Sequence, residues 1–216
     1  MSIKNFISLF FIILFWIPAC NTQTNNDNAK TNKMGNIHYS EPMDIKQFWE
    51  LIEVSRKNSL SGNEQIIFLE TTLVKLSEKE IAGFRLQTDK LLFDSYTSEL
   101  WCATYVINGG CSDDGFQYFR CWLISLGEKA YTESMNKPDN LTKYASMNDY
   151  ENEFEEFWDI ANKVFYTKTK RDLYDAIDPG FQYSENKYRP IKFTWEEEDP
   201  ESMKKICPEL FKKFWK

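Results

Sequence analysis

Apolar side chains recur along most of this chain at the spacing of one face of an α-helix. One example is the set Ile45, Phe48, Trp49 and Ile52, which lie at i, i+3, i+4 and i+7. This spacing places the four side chains on one side of a helix, where they are buried against neighbouring elements. No stretch of useful length alternates between apolar and polar residues, as a half-buried strand would. The pattern therefore predicts an all-α fold.

We predict a single bundle-like domain of about five helices, followed by an irregular C-terminal segment. The predicted helices are residues 44–57, 64–76, 78–107 and 114–134, and a fifth that begins at 148. Asp44 is the expected N-cap of the first helix, and Ser77 and Glu80 form the expected capping box of the third. The third range allows a break near Thr88. The fourth is apolar on most of its circumference, which predicts a central position. Residues 168–195 show no regular period, and a short helix is expected after Asp199 and Pro200.

The N-terminus has the layout of a bacterial lipoprotein signal. Lys4 precedes an apolar run at residues 6–17, and Pro18, Ala19 and Cys20 follow. The run is too short to span a membrane, which needs about 20 apolar residues, so it reads as an export signal. We predict cleavage before Cys20 and attachment of a lipid to its thiol. An uncleaved anchor and ordinary secretion remain as alternatives.

Composition divides the chain into three regions. Residues 1–19 form the predicted signal peptide, and residues 20–41 the lipidated cysteine with a flexible tether, because residues 21–34 are almost all Asn, Thr, Gln, Lys and Ala. Such a stretch buries too little apolar surface to offset the entropy of ordering it. Residues 42–216 form the predicted helical domain.

Charge and histidine content exclude several classes of function. Removing residues 1–19 takes away Lys4 and no acidic residue, so the net charge falls from −7 to −8. An acidic chain is a poor partner for nucleic acid, and contact with the membrane is expected through the lipid. The only histidine is His38, which makes Ser-His-Asp, Cys-His and His-zinc sites improbable. Because histidine ligands are scarce, no resident metal is predicted. No cofactor is predicted either, since no phosphate-binding glycine loop or dinucleotide fingerprint occurs.

The segment from Asn108 to Phe116 reads Asn-Gly-Gly-Cys-Ser-Asp-Asp-Gly-Phe and continues through Phe119, Arg120 and residues 122–124. Together with Phe48–Trp49, Leu100–Trp101, Trp195 and residues 208–214, it resembles the family catalogued as domain of unknown function 4240, over roughly residues 43–215. The resemblance implies a small helical bacterial domain. It implies no activity and no catalytic residue.

This segment is the candidate site, and it allows two interpretations. Its candidate residues are Asn108, Gly109, Gly110, Cys111, Ser112, Asp113, Asp114 and Arg120. The first interpretation is a tight connection between helices, in which the glycines adopt positive φ and Ser112 or Asp113 caps the next helix. The second is that the paired carboxylates bind a cation or hold a proton.

Arg120 lies on the apolar fourth helix, where a guanidinium needs a partner. The sequence offers Asp113, Asp114 or Glu99 across the helical hairpin. The simplest expectation is a structural ion pair with one of these carboxylates. We therefore expect Arg120→Ala to reduce stability and not function alone.

The cysteines are relevant because an exported protein meets an oxidising environment. Cys111 and Cys121 are separated by more than two helical turns, too far for a disulfide. Cys102 and Cys121 lie on opposite arms of the hairpin at similar heights, and the family pattern has small residues at both positions. We therefore predict a disulfide between Cys102 and Cys121. Cys111 is predicted to be a small buried side chain and not a nucleophile, since no basic residue is nearby.

Two functions remain open. The first is a lipid-anchored binding or interaction module of the cell envelope, held at the periplasmic face of the outer membrane, with an envelope protein as partner. The missing catalytic signature favours this non-enzymatic function, and the tyrosine-rich residues 168–195 are the natural place for recognition. The alternative is a carboxylate-dependent hydrolase, with or without a metal, that uses Asp113 and Asp114.

Overall fold

A computed structural model describes residues 38–147 and 152–215 of the chain. The predicted signal peptide, Cys20 and most of the predicted tether lie outside these residues. All the described residues belong to one structural unit.

The fold is all-α, as predicted. The α-helices are α1 (Ile45–Lys57), α2 (Gly62–Leu73), α3 (Glu78–Asp94), α4 (Ser98–Asn108), α5 (Asp113–Ser125), α6 (Glu128–Asn136), α7 (Glu155–Thr169), α8 (Pro200–Ile206) and α9 (Pro208–Phe214). Short 3₁₀ helices cover Pro138–Lys143, Tyr174–Ala176 and Glu185–Lys187. Within residues 38–147 and 152–215, β-pairing is limited to two isolated bridges. None of the helices described here has the length and apolar character needed to cross a membrane.

Local capping explains where α1 and α3 begin. The Asp44 carboxylate accepts hydrogen bonds from the backbone N–H groups of Lys46 and Gln47, so α1 begins as predicted. Ser77 and Glu80 form the predicted capping box, in which each side chain accepts from the backbone N–H of the other residue. These two helix starts are therefore readable from the sequence.

The predicted third and fourth helices are each divided into two. The third breaks between α3 and α4 at residues 95–97 and not near Thr88, because Thr97 caps the first turn of α4 by accepting from the N–H of Leu100. The fourth ends as α5 at Ser125, and Gly127 then adopts φ +96° before α6 begins. Apolar residues continue across both breaks, which is why periodicity alone predicted fewer helices.

Helices α3 and α5 form the centre of the domain, which confirms the central position predicted for residues of the fourth helix. Most of the side chains of both are buried. Helix α7 packs across α2, α3 and α5, and α6 packs against α5. The core is rich in aromatic rings, and its fully buried members include Phe48, Phe84, Phe116, Phe119, Phe157 and Phe165.

The chain before α1 is already held by the domain. Tyr39 forms a bridge with Ile177, in which its N–H donates to the Ala176 carbonyl at 2.7 Å. The N–H of Met43 donates to the Gly83 carbonyl of α3 at 2.8 Å. Residues 39–41, which the prediction assigned to the tether, therefore lie on the domain.

The C-terminal helices α8 and α9 pack against α4. The Asp139 carboxylate is buried and accepts from the N–H groups of Glu209 and Leu210 at 3.0 and 2.9 Å, at the start of α9. This contact joins residues 138–143 to the C-terminus, because an ionised oxygen is a strong acceptor for the free N–H groups of a first helical turn.

Candidate functional site

The turn between α4 and α5 is a helix-to-helix connection, as the first interpretation expected. Gly109 adopts φ +69° and ends α4, and Gly110 follows at φ +149°. Both values lie in the region that glycine adopts without a steric penalty. Ser112 caps α5 by accepting from the N–H of Gly115 at 3.1 Å. Turn chemistry therefore accounts for these three residues of the motif.

Asn108 of the motif binds Glu153, a residue that the sequence analysis did not single out. The amide of Asn108 donates to Oε1 of Glu153 at 3.2 Å. Burial raises the pKa of Glu153 above its ordinary value. Burial, followed by the charge of Glu153, also raises the pKa of the half-buried Cys111 to about 12. Cys111 is therefore a protonated thiol at neutral pH, and its side chain is half-buried where the prediction had it buried.

Arg120 is buried in α5, with only 2% of its surface exposed. Its guanidinium donates to the carbonyls of Phe116 and Leu92, to Oε1 of Gln117 and to the hydroxyl of Tyr188. Its carbon atom Cζ lies 4.7 Å from the ring centre of Phe116 and 5.1 Å from those of Tyr96 and Tyr188. Such cation–π contacts stabilise the positive charge of the guanidinium.

The expected ion pair of Arg120 is not formed. Among the described residues, the arginines that pair with a carboxylate within 4.0 Å are Arg56, Arg85 and Arg171. Asp113 and Asp114 lie in the exposed first turn of α5, whereas the Arg120 side chain is held among aromatic rings and backbone carbonyls. The prediction that Asp113, Asp114 or Glu99 pairs with Arg120 is therefore wrong.

An open cleft of about 360 Å³ lies over Arg120. Its lining consists of Tyr96, Asp113, Asp114, Gln117, Tyr118, Arg120, Trp158, Glu185, Asn186 and Tyr188. We call this feature the Arg120 cleft. It combines aromatic walls with a buried cation and exposed carboxylates, and its lining comes from α5, α7, the connection between α3 and α4, and the irregular segment after α7.

Gln117 contributes an unpaired donor to the Arg120 cleft. Its Oε1 accepts from Arg120, which leaves the amide nitrogen Nε2 as a donor. Nε2 is buried and has no hydrogen-bond partner among the described residues. A buried donor without an acceptor costs about 1–3 kcal/mol, so such groups occur where something else supplies the acceptor.

Asp113 and Asp114 lie at the mouth of the Arg120 cleft and are both exposed. Neither is needed to cap α5, since Ser112 does so. Negatively charged side chains are in any case favourable at the N-terminus of a helix, because they interact with the helix dipole. The cleft therefore has a positive charge at its base and three carboxylates, the third being Glu185, near its opening.

Tyr188 comes from the irregular segment that the sequence analysis identified as a natural recognition region. Its ring stacks on Tyr96 with the ring centres 4.4 Å apart. Burial raises the pKa of Tyr188, so its hydroxyl remains protonated. The aromatic side of the Arg120 cleft therefore depends on a contact between the α3–α4 connection and a residue far along the chain.

A second buried arginine, Arg85, was not singled out from the sequence. It pairs with Asp89 one turn later in α3 at 2.8 Å and donates to the Tyr174 hydroxyl and the Trp158 carbonyl. Arg85 and Asp89 line a smaller cleft of about 250 Å³, which shares Glu185 and Asn186 with the Arg120 cleft. The i, i+4 spacing could have indicated the pair but not its burial.

The predicted disulfide between Cys102 and Cys121 is not the arrangement found. The cysteines of the described residues, Cys102, Cys111, Cys121 and Cys207, are all free. The Cys102 sulfur has the Cys207 sulfur as its neighbour, at 3.7 Å. Cys121 is buried on α5. Cys207 lies between α8 and α9, and the prediction considered only the two helices of the hairpin.

No group of three or more His, Cys, Asp and Glu side chains in residues 38–147 and 152–215 is arranged to hold a metal ion. Asp113 and Asp114 have no third such ligand beside them in this part of the chain. The polar groups that line the Arg120 cleft are the guanidinium, the Gln117 amide, tyrosine hydroxyls and carboxylates.

Comparison with known proteins identifies one family. Neither the curated proteins nor the solved structures include a match to this chain. The model of a family described as "Protein of unknown function (DUF4240)" matches residues 43–167, which include α1 to α6, most of α7 and the whole motif from Asn108 to Arg120. Because this match covers more than half of the sequence, the chain belongs to the DUF4240 family.

Proposed function

We propose that this protein is a lipid-anchored binding module of the cell envelope, and that the Arg120 cleft is its binding site. The observation that carries the proposal is the buried guanidinium of Arg120, which has no carboxylate within ion-pair distance among the described residues. It lies beside the unpaired amide nitrogen of Gln117 in an open cleft. Buried charges in proteins are normally paired, so an exposed cleft over an unpaired one is suited to an anionic group.

The donors at the base of the cleft specify the inner group of the ligand. The guanidinium has five N–H groups, and four of them have acceptors in Phe116, Leu92, Gln117 and Tyr188. The remaining N–H and Nε2 of Gln117 can both donate to a carboxylate. A ligand that bears a carboxylate would supply the charge and the acceptor together.

The opening of the cleft specifies the outer group. Asp113, Asp114 and Glu185 would repel a second negative charge and accept hydrogen bonds from hydroxyl or amino groups. The rings of Tyr118 and Trp158 provide apolar surface between the two ends. The ligand class that fits is a small carboxylic acid that also carries a hydroxyl or amino donor, such as an amino acid or a hydroxy acid.

The first experiment measures thermal unfolding of the purified protein with four probes: free amino acids, hydroxy acids, dicarboxylic acids and neutral sugars. We expect an amino acid or hydroxy acid to raise the unfolding midpoint in a concentration-dependent way, because a ligand that binds only the folded state stabilises it. A shift with neutral sugars alone would reject the carboxylate. No shift with any of the four probes would reject the binding function.

Gln117→Glu is the matched variant for this experiment. The substitution conserves shape and keeps an oxygen for Arg120, but it replaces the donor Nε2 with a second acceptor. We expect it to fold and to lose the probe-induced shift. Gln182→Leu, at an exposed glutamine outside the cleft lining, should retain the shift. Equal shifts in wild type and Gln117→Glu would exclude this cleft as the binding site.

Export and lipidation rest on the first twenty residues and on the polar tether, which support a domain held beyond the cytoplasm by a fatty chain at Cys20. Metabolic labelling with a radioactive fatty acid would test this. We expect label in the wild type and none in Cys20→Ser. Crosslinking in intact cells would test whether an envelope protein is a partner, and separation of the membranes would test the periplasmic face of the outer membrane.

A carboxylate-dependent hydrolase, metal-assisted or not, is the second candidate. The observation in its favour is that Asp113 and Asp114 line the same open cleft. A general acid needs a carboxyl group that keeps its proton near neutral pH, and burial usually provides this. Both aspartate side chains are exposed and lack this burial. We therefore prefer the binding function to the hydrolase. Hydrolysis of a candidate substrate that is lost in the double variant Asp113→Asn, Asp114→Asn would favour the hydrolase.

A further inference from the structure

Cys102 and Cys207 bring two thiols together from distant parts of the chain. Their sulfur atoms lie 3.7 Å apart, and the residues are 105 positions apart in sequence. Both side chains are fully buried. Cys102 lies within the part of the chain that matches the family, and Cys207 lies beyond it.

The packing around the two sulfurs determines their separation. Cys102 is on α4, and its Sγ also contacts the carbonyl of Met203 on α8 at 3.9 Å. Cys207 is the residue between α8 and α9, and Leu210 of α9 is fully buried one turn later. Asp139 holds the first turn of α9 from a third direction. The pair is therefore positioned by three separate elements and not by a flexible loop.

We propose that Cys102 and Cys207 are a disulfide-forming pair that joins α4 to the junction of α8 and α9. The contact already brings the sulfurs to within a small movement of bonding distance, which is about 2.05 Å. The bond would attach the C-terminal helices covalently to the family domain. Such a bond is expected in an oxidising compartment, so its presence in cells rests on the proposed export.

The oxidant is a disulfide, either a low-molecular-weight one or that of a protein oxidase. The thiolate of one cysteine attacks the oxidant, which forms a mixed disulfide and releases one thiolate. The second cysteine then attacks the protein sulfur of the mixed disulfide, which forms the Cys102–Cys207 bond and releases the second thiolate. The two thiol protons pass to the two released thiolates, and the two electrons reduce the oxidant.

The reaction is expected while α8 and α9 dock and not afterwards. Once they are docked, both sulfurs are buried and closed to the oxidant. The hydrogen bond to Cys102 and burial also raise the pKa of Cys207, which disfavours the attacking thiolate. The same burial would protect the bond from reductants after folding.

Peptide mapping tests the pairing. The full chain is recovered from the envelope of a bacterium that expresses it, with free thiols blocked by iodoacetamide in denaturant and no reductant. We expect Cys111 and Cys121 to be alkylated and the peptides of Cys102 and Cys207 to be linked. Alkylation of all four in envelope-localised protein, or a link between Cys102 and Cys121, would overturn the proposal.

Refolding separates the pairing from the location. Reduced protein is refolded in a buffer of reduced and oxidised glutathione and mapped in the same way. If the protein is cytosolic in cells but the same link forms here, export is wrong and the pairing stands. Free thiols at Cys102 and Cys207 in the refolded protein would reject the pairing.

Matched serine variants provide the control. Cys121→Ser removes a buried thiol on α5 and should keep the link, whereas Cys207→Ser should leave Cys102 free for alkylation. The link should also raise the thermal midpoint of the wild type, and dithiothreitol should abolish that rise. Loss of the link in a Cys121→Ser variant that circular dichroism shows to be folded would contradict the assignment.

Discussion

The hydroxyl of Tyr188 accepts a hydrogen bond from Nη1 of Arg120 at 3.2 Å, and the Tyr188 ring also lies over the guanidinium. The same Nη1 donates to the carbonyl of Leu92 near the end of α3. Arg120 therefore joins α5, α3 and the irregular segment after α7 through one side chain. Its structural role and the proposed ligand-binding role can be separated by substitution.

Arg120→Ala is expected to destabilise the protein by about 3 kcal/mol. The change leaves the buried Oε1 of Gln117 without a donor, removes one of the two side-chain donors to the Leu92 carbonyl and creates a cavity among aromatic rings. Arg120→Met fills most of the volume and should cost less, since an apolar replacement of a buried charge is often tolerated. Urea unfolding measures both values.

Probe binding in the same two variants separates the roles of Arg120. Neither alanine nor methionine can bind a carboxylate, so both should lose the ligand-induced shift although only Arg120→Ala is strongly destabilised. An unchanged unfolding midpoint in Arg120→Ala would contradict the structural role. A full ligand shift in a folded Arg120→Met would contradict the binding role.

Helix type and several helix starts could be predicted because they depend on neighbouring residues. The caps at Asp44 and Ser77 and the apolar faces are local signals, and the structure confirms them. The breaks at residues 95–97 and at Gly127 could not be predicted from periodicity. Apolar residues flank both breaks, so an uninterrupted face matches the sequence equally well.

The site was predicted in part. The motif and the need of Arg120 for a partner were recognised, because both follow from residue type. The partners themselves were not: Tyr188 is 68 positions from Arg120, and Glu153 is 45 positions from Asn108. The cysteine prediction had the same limit, because the hairpin offered Cys121 and the contact is with Cys207. Contacts set by tertiary packing leave no local pattern.

Asp139→Ala is expected to cost about 2 kcal/mol and to loosen α9. The substitution removes the acceptor of two backbone N–H groups, those of Glu209 and Leu210. Asp139→Asn keeps an acceptor oxygen and should lose less. Urea unfolding measures the cost, and limited proteolysis should show faster cleavage near residues 200–214 in the alanine variant. Equal stabilities for alanine and asparagine would show that this cap is not important.

Gly83→Ala is expected to destabilise the protein and Gly115→Ala is not, although both glycines are helical. A Cβ at Gly83 would lie 3.1 Å from the backbone nitrogen of Met43, whose N–H is bonded to the Gly83 carbonyl. This backbone cannot move without weakening that bond, so we expect a net loss of about 1–2 kcal/mol.

A Cβ at Gly115 would have ordinary contacts, the nearest being Ser112 Oγ at 3.4 Å. Alanine favours helix over glycine by up to about 1 kcal/mol, so this variant should be neutral or more stable. Thermal unfolding of the two variants beside the wild type checks the signs. A stabilised Gly83→Ala would mean that the chain before α1 is not held against α3.

The capping box of α3 should make stability depend on pH in the acidic range. The hydroxyl and the N–H of Ser77 both donate to Oε2 of Glu80, at 2.7 and 2.8 Å. These bonds lower the pKa of Glu80 below its ordinary value of 4.5. Between the two pKa values the unfolded chain binds more protons than the folded one, so the contribution of Glu80 is complete above about pH 4.5. It is lost as the pH falls through the folded pKa.

Glu80→Gln isolates this contribution from that of other carboxylates. Glutamine keeps an acceptor for Ser77 but does not titrate, so the wild type should exceed the variant in stability near neutral pH. The difference should shrink as the pH falls through the range below 4.5. Urea unfolding of both proteins at a series of pH values measures it. A difference that stays constant with pH would mean that the capping box stabilises α3 through hydrogen bonding alone, because only the charged carboxylate can make the difference depend on protons.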